Sequence, residues 1–134
     1  MTKLTKIEGI GPVYAEKLRA AGVTTVEKLL DAGASPKGRQ QLEEATDIGH
    51  KLIMEWVNLA DLMRIKGISE EYSDLLEEAG VDTVKELRNR NADNLHAALV
   101  KTNQEKNLVR RVPARRQVAD WIAQAQTLPA KVTY

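Results

Sequence analysis

Apolar residues recur at helical spacing along most of the chain. Tyr14, Leu18 and Ala21 fall at i, i+4 and i+7 and predict a helix from Pro12 to Ala21. Gly22 suits the position just past its end. Leu4 and Ile7 predict a short helix, about Leu4–Glu8, before it. Thr24-x-x-Glu27 has the spacing of a capping box and opens a third helix to about Ala32. Ser35 followed by Pro36 opens a fourth to about Ala45. A fifth begins near Ile48 or Gly49, and Leu52, Ile53, Trp56, Val57, Ala60 and Met63 carry its apolar face. The second half repeats this order. A short helix ends near Lys66, a longer one covers about Glu70–Ala79 before Gly80, and Asp82 caps a connector over about Thr83–Arg90. Asp93 opens a helix through Leu95, Ala98 and Leu99, and a last helix from Pro113 buries Val118, Trp121, Ile122 and Ala125. Thr102–Val112 reads as a loop, and the tail after Leu128 has no period, as expected of an extended or loosely ordered segment. The pattern is all-α.

A shift of 58 residues lays the chain on itself. Ile7, Gly9, Ile10, Tyr14, Leu18, Ala21-Gly22-Val23, Thr25-Val26 and Leu29 fall on identical residues from Ile65 to Leu87, 11 identities in 23 positions without a gap. Further on, Glu55-Trp56-Val57 matches Asp120-Trp121-Ile122 at an offset of 65, so the second copy has gained seven residues. Internal duplication accounts for this simply. A period near 60 is too long for the common solenoids, so each copy reads as a small helical unit of its own.

Composition narrows the chemistry. Aromatic residues are 4% of the chain and Phe is missing, so Leu, Ile, Val and Ala must fill the interior. There are no cysteines, which excludes disulfides, zinc ribbons and thiol nucleophiles. No apolar run approaches the roughly 18 residues of a membrane span, and no apolar leader opens the chain, so a cytoplasmic protein is expected. The net charge of +1 is unevenly spread. Residues 1–62 carry 8 basic and 9 acidic side chains, residues 63–99 carry 5 and 8, and residues 100–134 carry 7 and 2. The middle is therefore −3 and the last third +5.

The stretch Leu4-x-x-Ile7-x-Gly9-Ile10-Gly11, with Ala15 on the following helix, resembles the helix-hairpin-helix motif. The resemblance implies a hairpin whose main-chain amides hold a nucleic-acid phosphate without reading sequence, and whose carbonyls can hold a monovalent cation. Two hairpins joined by a connector form the tandem version of this domain, and Leu42-x-x-Ala45-x-x-Ile48-Gly49 reads as a degenerate second hairpin of copy one. The whole chain resembles an uncharacterised bacterial family of such tandem proteins. The likeness includes the joining helix Leu52–Ile65 and the Leu108–Pro113 and Asp120–Ile122 stretches. The expected organisation is a first unit over residues 1–61, a second, degenerate unit over 62–128 and a tail over 129–134.

Candidate nucleic-acid contacts follow from residue type. The amides of Gly9, Gly11 and Val13, with Ile10 pinning the turn, stand where a helix dipole adds positive potential. Lys6 and Lys17 flank them, while Glu8 and Glu16 oppose them. In the second copy Ser69 replaces the second glycine, and Glu70, Glu71 and Asp74 crowd the helix start, so that turn reads as structural. Arg110, Arg111, Arg115 and Arg116 form a basic cluster able to neutralise phosphates, without the interleaved aromatics that stack single-stranded bases. His50 and His96 lack a second ligand at metal spacing, and no catalytic constellation is present, so neither a metal, a cofactor nor an enzymatic activity is expected. The leading expectation is weak, sequence-independent nucleic-acid binding, DNA above all. The alternative is a protein-interaction or scaffold module, in which the acidic stretch Glu70–Glu78 and the basic last third would drive self-association or docking to a charged partner.

Overall fold

The computed structural model describes residues 1–134 and is all-helical, with eight α-helices and no strands. The helices are α1 (Pro12–Ala20), α2 (Val26–Gly33), α3 (Pro36–Thr46), α4 (His50–Leu62), α5 (Glu70–Glu78), α6 (Val84–Leu87), α7 (Ala92–Lys106) and α8 (Arg115–Thr127). A single 3-10 turn, Leu4–Lys6, precedes them. The chain divides into two compact units, residues 1–61 with 131–134, and residues 62–130. No helix is long and apolar enough to cross a membrane.

In the first unit, Thr2 and Lys3 run alongside the start of α2. Val26 N–H donates to the Thr2 carbonyl at 3.0 Å, and the Glu27 carboxylate accepts from Thr2 N–H at 2.8 Å. Glu27 therefore does not serve the capping box expected of Thr24. The cap is Thr25, whose hydroxyl accepts from Lys28 N–H at 3.1 Å. The reason is burial: Thr25 and Val26 are both inside, and a start one residue later turns them there. Ser35 caps α3 as its sequence predicts, accepting from Gly38 N–H at 3.0 Å. The α1 helix ends in a Schellman pattern, with Gly22 N–H on Arg19 O, Val23 N–H on Leu18 O and Gly22 at φ +88°. Leu4, Ile7, Ile10, Ala15, Leu18, Leu29, Ile53, Trp56 and Val57 are buried.

The residues 131–134 are extended, but they are not loose. Val132 is buried, and Thr133 N–H donates to Ala34 O at 2.8 Å. Arg39, 3% exposed, spans Gly33 O, Ala34 O and Thr133 O through its guanidinium, and Tyr134 lies over that guanidinium at 5.9 Å. The tail lacks a period because it has no helix to repeat, and its four residues complete the first unit.

In the second unit, Leu75, Leu76, Val81, Val84, Leu87, Leu95, Leu99, Val118, Trp121 and Ala125 form one apolar cluster. The α5 helix closes as α1 does, with Gly80 N–H on Glu77 O, Val81 N–H on Leu76 O and Gly80 at φ +96°. The connector α6 is one turn long, capped by Thr83 rather than Asp82. Asp82 N–H instead donates to the Glu86 carboxylate at 2.9 Å. Asn91, not Asp93, caps α7, which runs fifteen residues to Lys106 and absorbs the first half of the expected loop. The last helix begins at Arg115, two residues after Pro113. The ends of this unit are tied down by arginines: Arg88 donates to Leu128 O and Arg64 to Pro129 O.

Burial raises the Asp82 carboxyl above the usual aspartate range, and the neighbouring Glu86 carboxylate adds to the shift. A folded pKa above the unfolded one favours folding below the unfolded value and loses that advantage as pH rises through the folded value. Asp82→Asn is therefore expected to raise the thermal midpoint near neutral pH, by at most about 2 °C given solvent screening. The difference should close as pH falls below the aspartate range. Melting curves of both proteins across pH check this.

Candidate nucleic-acid interface

The turn before α1 is built by two isoleucines and a glycine. Ile7 and Ile10 are buried, and Ile10 N–H donates to Ile7 O at 3.1 Å. The bend between them needs φ +93° at Gly9, a region that side chains disfavour. Gly9 also sits against the indole of Trp56, where an added Cβ would lie 3.2 Å from Nε1. Tyr14 meets the same indole edge-on, with ring centroids 5.1 Å apart. Gly9 is thus fixed by the fold.

Gly11 is different. It is the N-cap of α1, its φ of −89° suits any residue, and nothing lies within 4 Å of where its Cβ would be. Serine or aspartate there would cap the helix better than glycine does. No side chain caps α1, and the first bond of the helix runs from Ala15 N–H to Gly11 O at 2.9 Å. The amides of Gly9, Gly11 and Val13 meet no protein acceptor. Gly9 and Val13 are exposed, Gly11 is half-exposed, and Pro12 contributes no donor. The α1 start therefore presents bare N–H groups at the positive end of the helix dipole.

Lys6 and Lys17 are exposed and have no ion pair. Of the two opposing carboxylates, Glu16 turns to Arg19 at 3.7 Å, and Glu8 is exposed. Val13, 71% exposed, is an apolar side chain left in water. With Pro12, Glu16, Lys17 and Ala20 it lines an open trough of about 610 Å³ along the outer face of α1.

The matching turn before α5 has the same frame and a different surface. Gly67 has φ +99°, Ile68 N–H donates to Ile65 O at 3.2 Å, and a Cβ on Gly67 would lie 2.9 Å from Trp121 Nε1. Tyr72 packs on that indole at 5.3 Å. Ser69 stands where Gly11 does, without a side-chain cap bond, and Glu70 and Glu71 occupy the first turn of α5. These carboxylates suit the helix dipole and repel an anion.

The basic cluster lies in the second unit, Arg110 and Arg111 between α7 and α8 and Arg115 and Arg116 at the start of α8. Its backbone is held from several sides. Asn107 adopts the left-handed conformation, φ 51°, at the end of α7. The Asn103 carboxamide accepts from Leu108 N–H and Val109 N–H, both at 2.9 Å, and donates to Val109 O at 3.1 Å. The Tyr72 hydroxyl donates to Arg111 O at 3.1 Å. Val109 and Pro113 are buried, and Gln117 accepts from Ala114 N–H at 2.8 Å. Arg110, Arg111 and Arg116 are exposed with no acceptor in the protein. Arg115 is committed to Asp93, and this hydrogen-bonded pair holds the Asp93 carboxyl below its usual range. Lys106 likewise pairs with Glu78, which raises its ammonium pKa.

Lys6, Gly9, Ile10, Gly11, Val13 and Lys17 lie in the first unit and Arg110, Arg111, Arg115 and Arg116 in the second. The sequence allowed pairing of the arginines with the acidic middle of the chain without singling out Asp93 and Arg115, and it did not point to Asn103 or to Arg111 O as the partner of Tyr72. Tyr72 carried a signal, since it repeats Tyr14 and a half-buried hydroxyl needs a partner. Among carboxylates, Asp74, Glu77 and Glu78 approach one another within 4.8 Å on α5, but Lys106 takes Glu78 and the other two also have partners. His50 bonds to Glu43 at 3.2 Å.

A family model described as a domain of unknown function, DUF4332, matches residues 8–128. Neither a curated protein nor a solved structure matches the chain.

Proposed function

The chain belongs to the DUF4332 family, and from its geometry we propose a non-enzymatic, sequence-independent nucleic-acid binder built on two tandem helix-hairpin-helix units. Internal duplication is supported by the paired features of the halves. Gly9 and Gly67, and Gly22 and Gly80, share positive φ, and each turn rests on a Trp–Tyr pair. The observation that carries the binding reading is the α1 start. Its amides at Gly9, Gly11 and Val13 have no acceptor, and its N-cap is a glycine that the backbone does not require. Ser69 at the matching place supports the same point, since a side chain fits there.

Lys6 and Lys17, close to those donors along the chain, are exposed cations, and the unpaired arginines of the second unit add more charge. Amide and cation contacts to phosphate position a backbone without reading bases. With a net charge of only +1, binding is weak. The expected Kd for short duplex DNA lies in the micromolar range or above at physiological salt, as for nonspecific contacts in general. Titration of labelled duplex by fluorescence anisotropy tests this. Saturable binding that tightens at low salt supports the reading, and no binding at low salt removes it.

A second reading, docking to a protein, is favoured by one observation, the exposed Val13 in its apolar trough. Nuclease treatment separates the two. Partners recovered from cells after digestion of nucleic acid would favour docking, and their loss would favour the polynucleotide.

A further inference from the structure

The two units offer an anion different chemistry. In the first, the donors are main-chain amides at the α1 start. In the second, the equivalent start carries two carboxylates: Glu70 and Glu71 lie in the first turn of α5 and would repel a phosphate at the Ser69 position. Yet the same helix holds the arginine loop. Tyr72, on that first turn, donates its hydroxyl to Arg111 O at 3.1 Å. Its counterpart Tyr14 makes no such bond, because the first unit has no inserted loop to receive it. The extra length of the second copy is shared: α7 has 15 residues against 11 in α3, and residues 107–114 link α7 to α8 where residues 47–49 link α3 to α4.

The loop is built for presentation rather than for burial. Asn103 fixes three main-chain groups of Leu108 and Val109, Val109 and Pro113 anchor it in the core, and Gln117 satisfies Ala114 N–H. None of these contacts uses a guanidinium. Arg110, Arg111 and Arg116 are left exposed and unpaired, while Asp93 takes Arg115 alone. Arg116 lies in the first turn of α8, where a cation opposes the helix dipole. An arrangement that spends neutral side chains on holding the backbone and keeps three arginines free is suited to a polyanion. Guanidiniums match phosphate oxygens in pairs. Tyr72 and Trp121 of this unit pack against each other at a tilt of 53°, and the loop itself carries no aromatic ring on which a base could stack.

We infer that the second unit contacts nucleic-acid phosphates through Arg110, Arg111 and Arg116, its own hairpin having ceded that contact to the inserted loop. This rests on the nucleic-acid reading and adds a division of labour to it. Main-chain amides displace few counterions. Guanidiniums displace about one per phosphate neutralised, with a slope of log K against log salt near −0.9 per contact on duplex DNA. The arginine loop is therefore the source of most of the salt dependence.

The test is anisotropy on a short labelled duplex and on its separate strand, from low to physiological salt, with the full chain. Three proteins are compared: the wild type, Arg110→Gln with Arg111→Gln and Arg116→Gln, and the same three positions changed to Lys. The glutamine variant should bind duplex at least about tenfold more weakly at low salt, with a slope shallower by about 2 to 3. The lysine variant should keep the wild-type slope. All three should melt alike, since the arginines have no partners in the fold. The wild-type protein should show no preference for the single strand. If the wild type binds neither probe at low salt, the nucleic-acid reading falls and this inference with it. If the wild type binds and the glutamine variant keeps affinity and slope, the inference alone is overturned and the α1 hairpin stands. A tighter grip on the single strand would also overturn it.

Discussion

Gly11→Asp is expected to weaken duplex binding at least about tenfold while the fold becomes no less stable. The two effects have one cause. At the N-cap, an aspartate carboxylate accepts from the second or third amide of the helix and interacts favourably with the dipole, each worth about 0.3–1 kcal/mol. The φ of −89° and the empty space around Cβ allow it without strain. The same carboxylate then occupies the donors at the α1 start and places a negative charge where a phosphate would sit. Gly11→Ser separates the contributions, because serine caps without the charge. It should be stabilised by a few tenths of a kcal/mol and should keep more binding than the aspartate variant. Melting curves and duplex titrations on the same preparations measure both. An aspartate variant that binds as the wild type does would show that these amides face no phosphate. A loss of binding with a lower melting midpoint would point to damage to the fold and not to the site.

Arg39→Ala is expected to cost the first unit about 2–4 kcal/mol, a large effect for the truncation of one side chain. The guanidinium is nearly sealed from water and joins three carbonyls, two at the end of α2 and one at Thr133. Its loss leaves Gly33 O with no donor in a dry place and takes the donor from Thr133 O nearer the surface. Removing residues 131–134 instead strips Val132 from its buried seat and takes the Thr133 carbonyl from the arginine. Its expected cost is smaller, about 1–3 kcal/mol, because water can enter and solvate the exposed guanidinium. The two changes share one network and should be strongly non-additive, so the double variant falls well short of their sum. Denaturant titrations of the four proteins measure the coupling. Additive costs would mean that the tail and Arg39 act separately.

The sequence made the helices legible and left their joints obscure. Apolar spacing found α1, α4, α5 and α8 because each buries a regular stripe, such as Ile53, Trp56 and Val57 on α4. Boundaries failed where two cappers compete. Thr24 and Thr25 both suit an N-cap, and burial of Val26 decides for the second, a fact of packing that spacing does not contain. Asn91 and Asp93 compete in the same way before α7. The C-terminal half of α7 was hidden because Thr102, Asn103, Gln104, Glu105 and Lys106 carry no apolar stripe, and Asn103 faces the loop it holds. The tail was illegible because its fixing partner, Arg39, lies 94 residues away from Thr133.

The candidate site was partly legible. Gly9-Ile10-Gly11 announced a tight turn, but the sequence treated its two glycines alike. The structure separates them: Gly9 is required by its φ and by Trp56, and Gly11 by neither. The basic cluster was visible as a charge run, yet a run of cations does not say which of them are free. Asp93, 22 residues from Arg115, pairs with one of the four at the surface and leaves three without a protein partner. Glu70 and Glu71 were readable as obstacles at the second turn because their charges lie beside it in the chain.

The proposed nucleic-acid binding rests first on a phosphate received by the unpaired main-chain donors at the α1 start. Amide-resolved nuclear magnetic resonance during titration with a short duplex observes those donors themselves. The Gly9, Gly11 and Val13 amide signals are expected to shift saturably, to track binding, and to do so still when Arg110, Arg111 and Arg116 are glutamine. Stationary signals at all three amides, with duplex bound elsewhere on the chain, would contradict that contact.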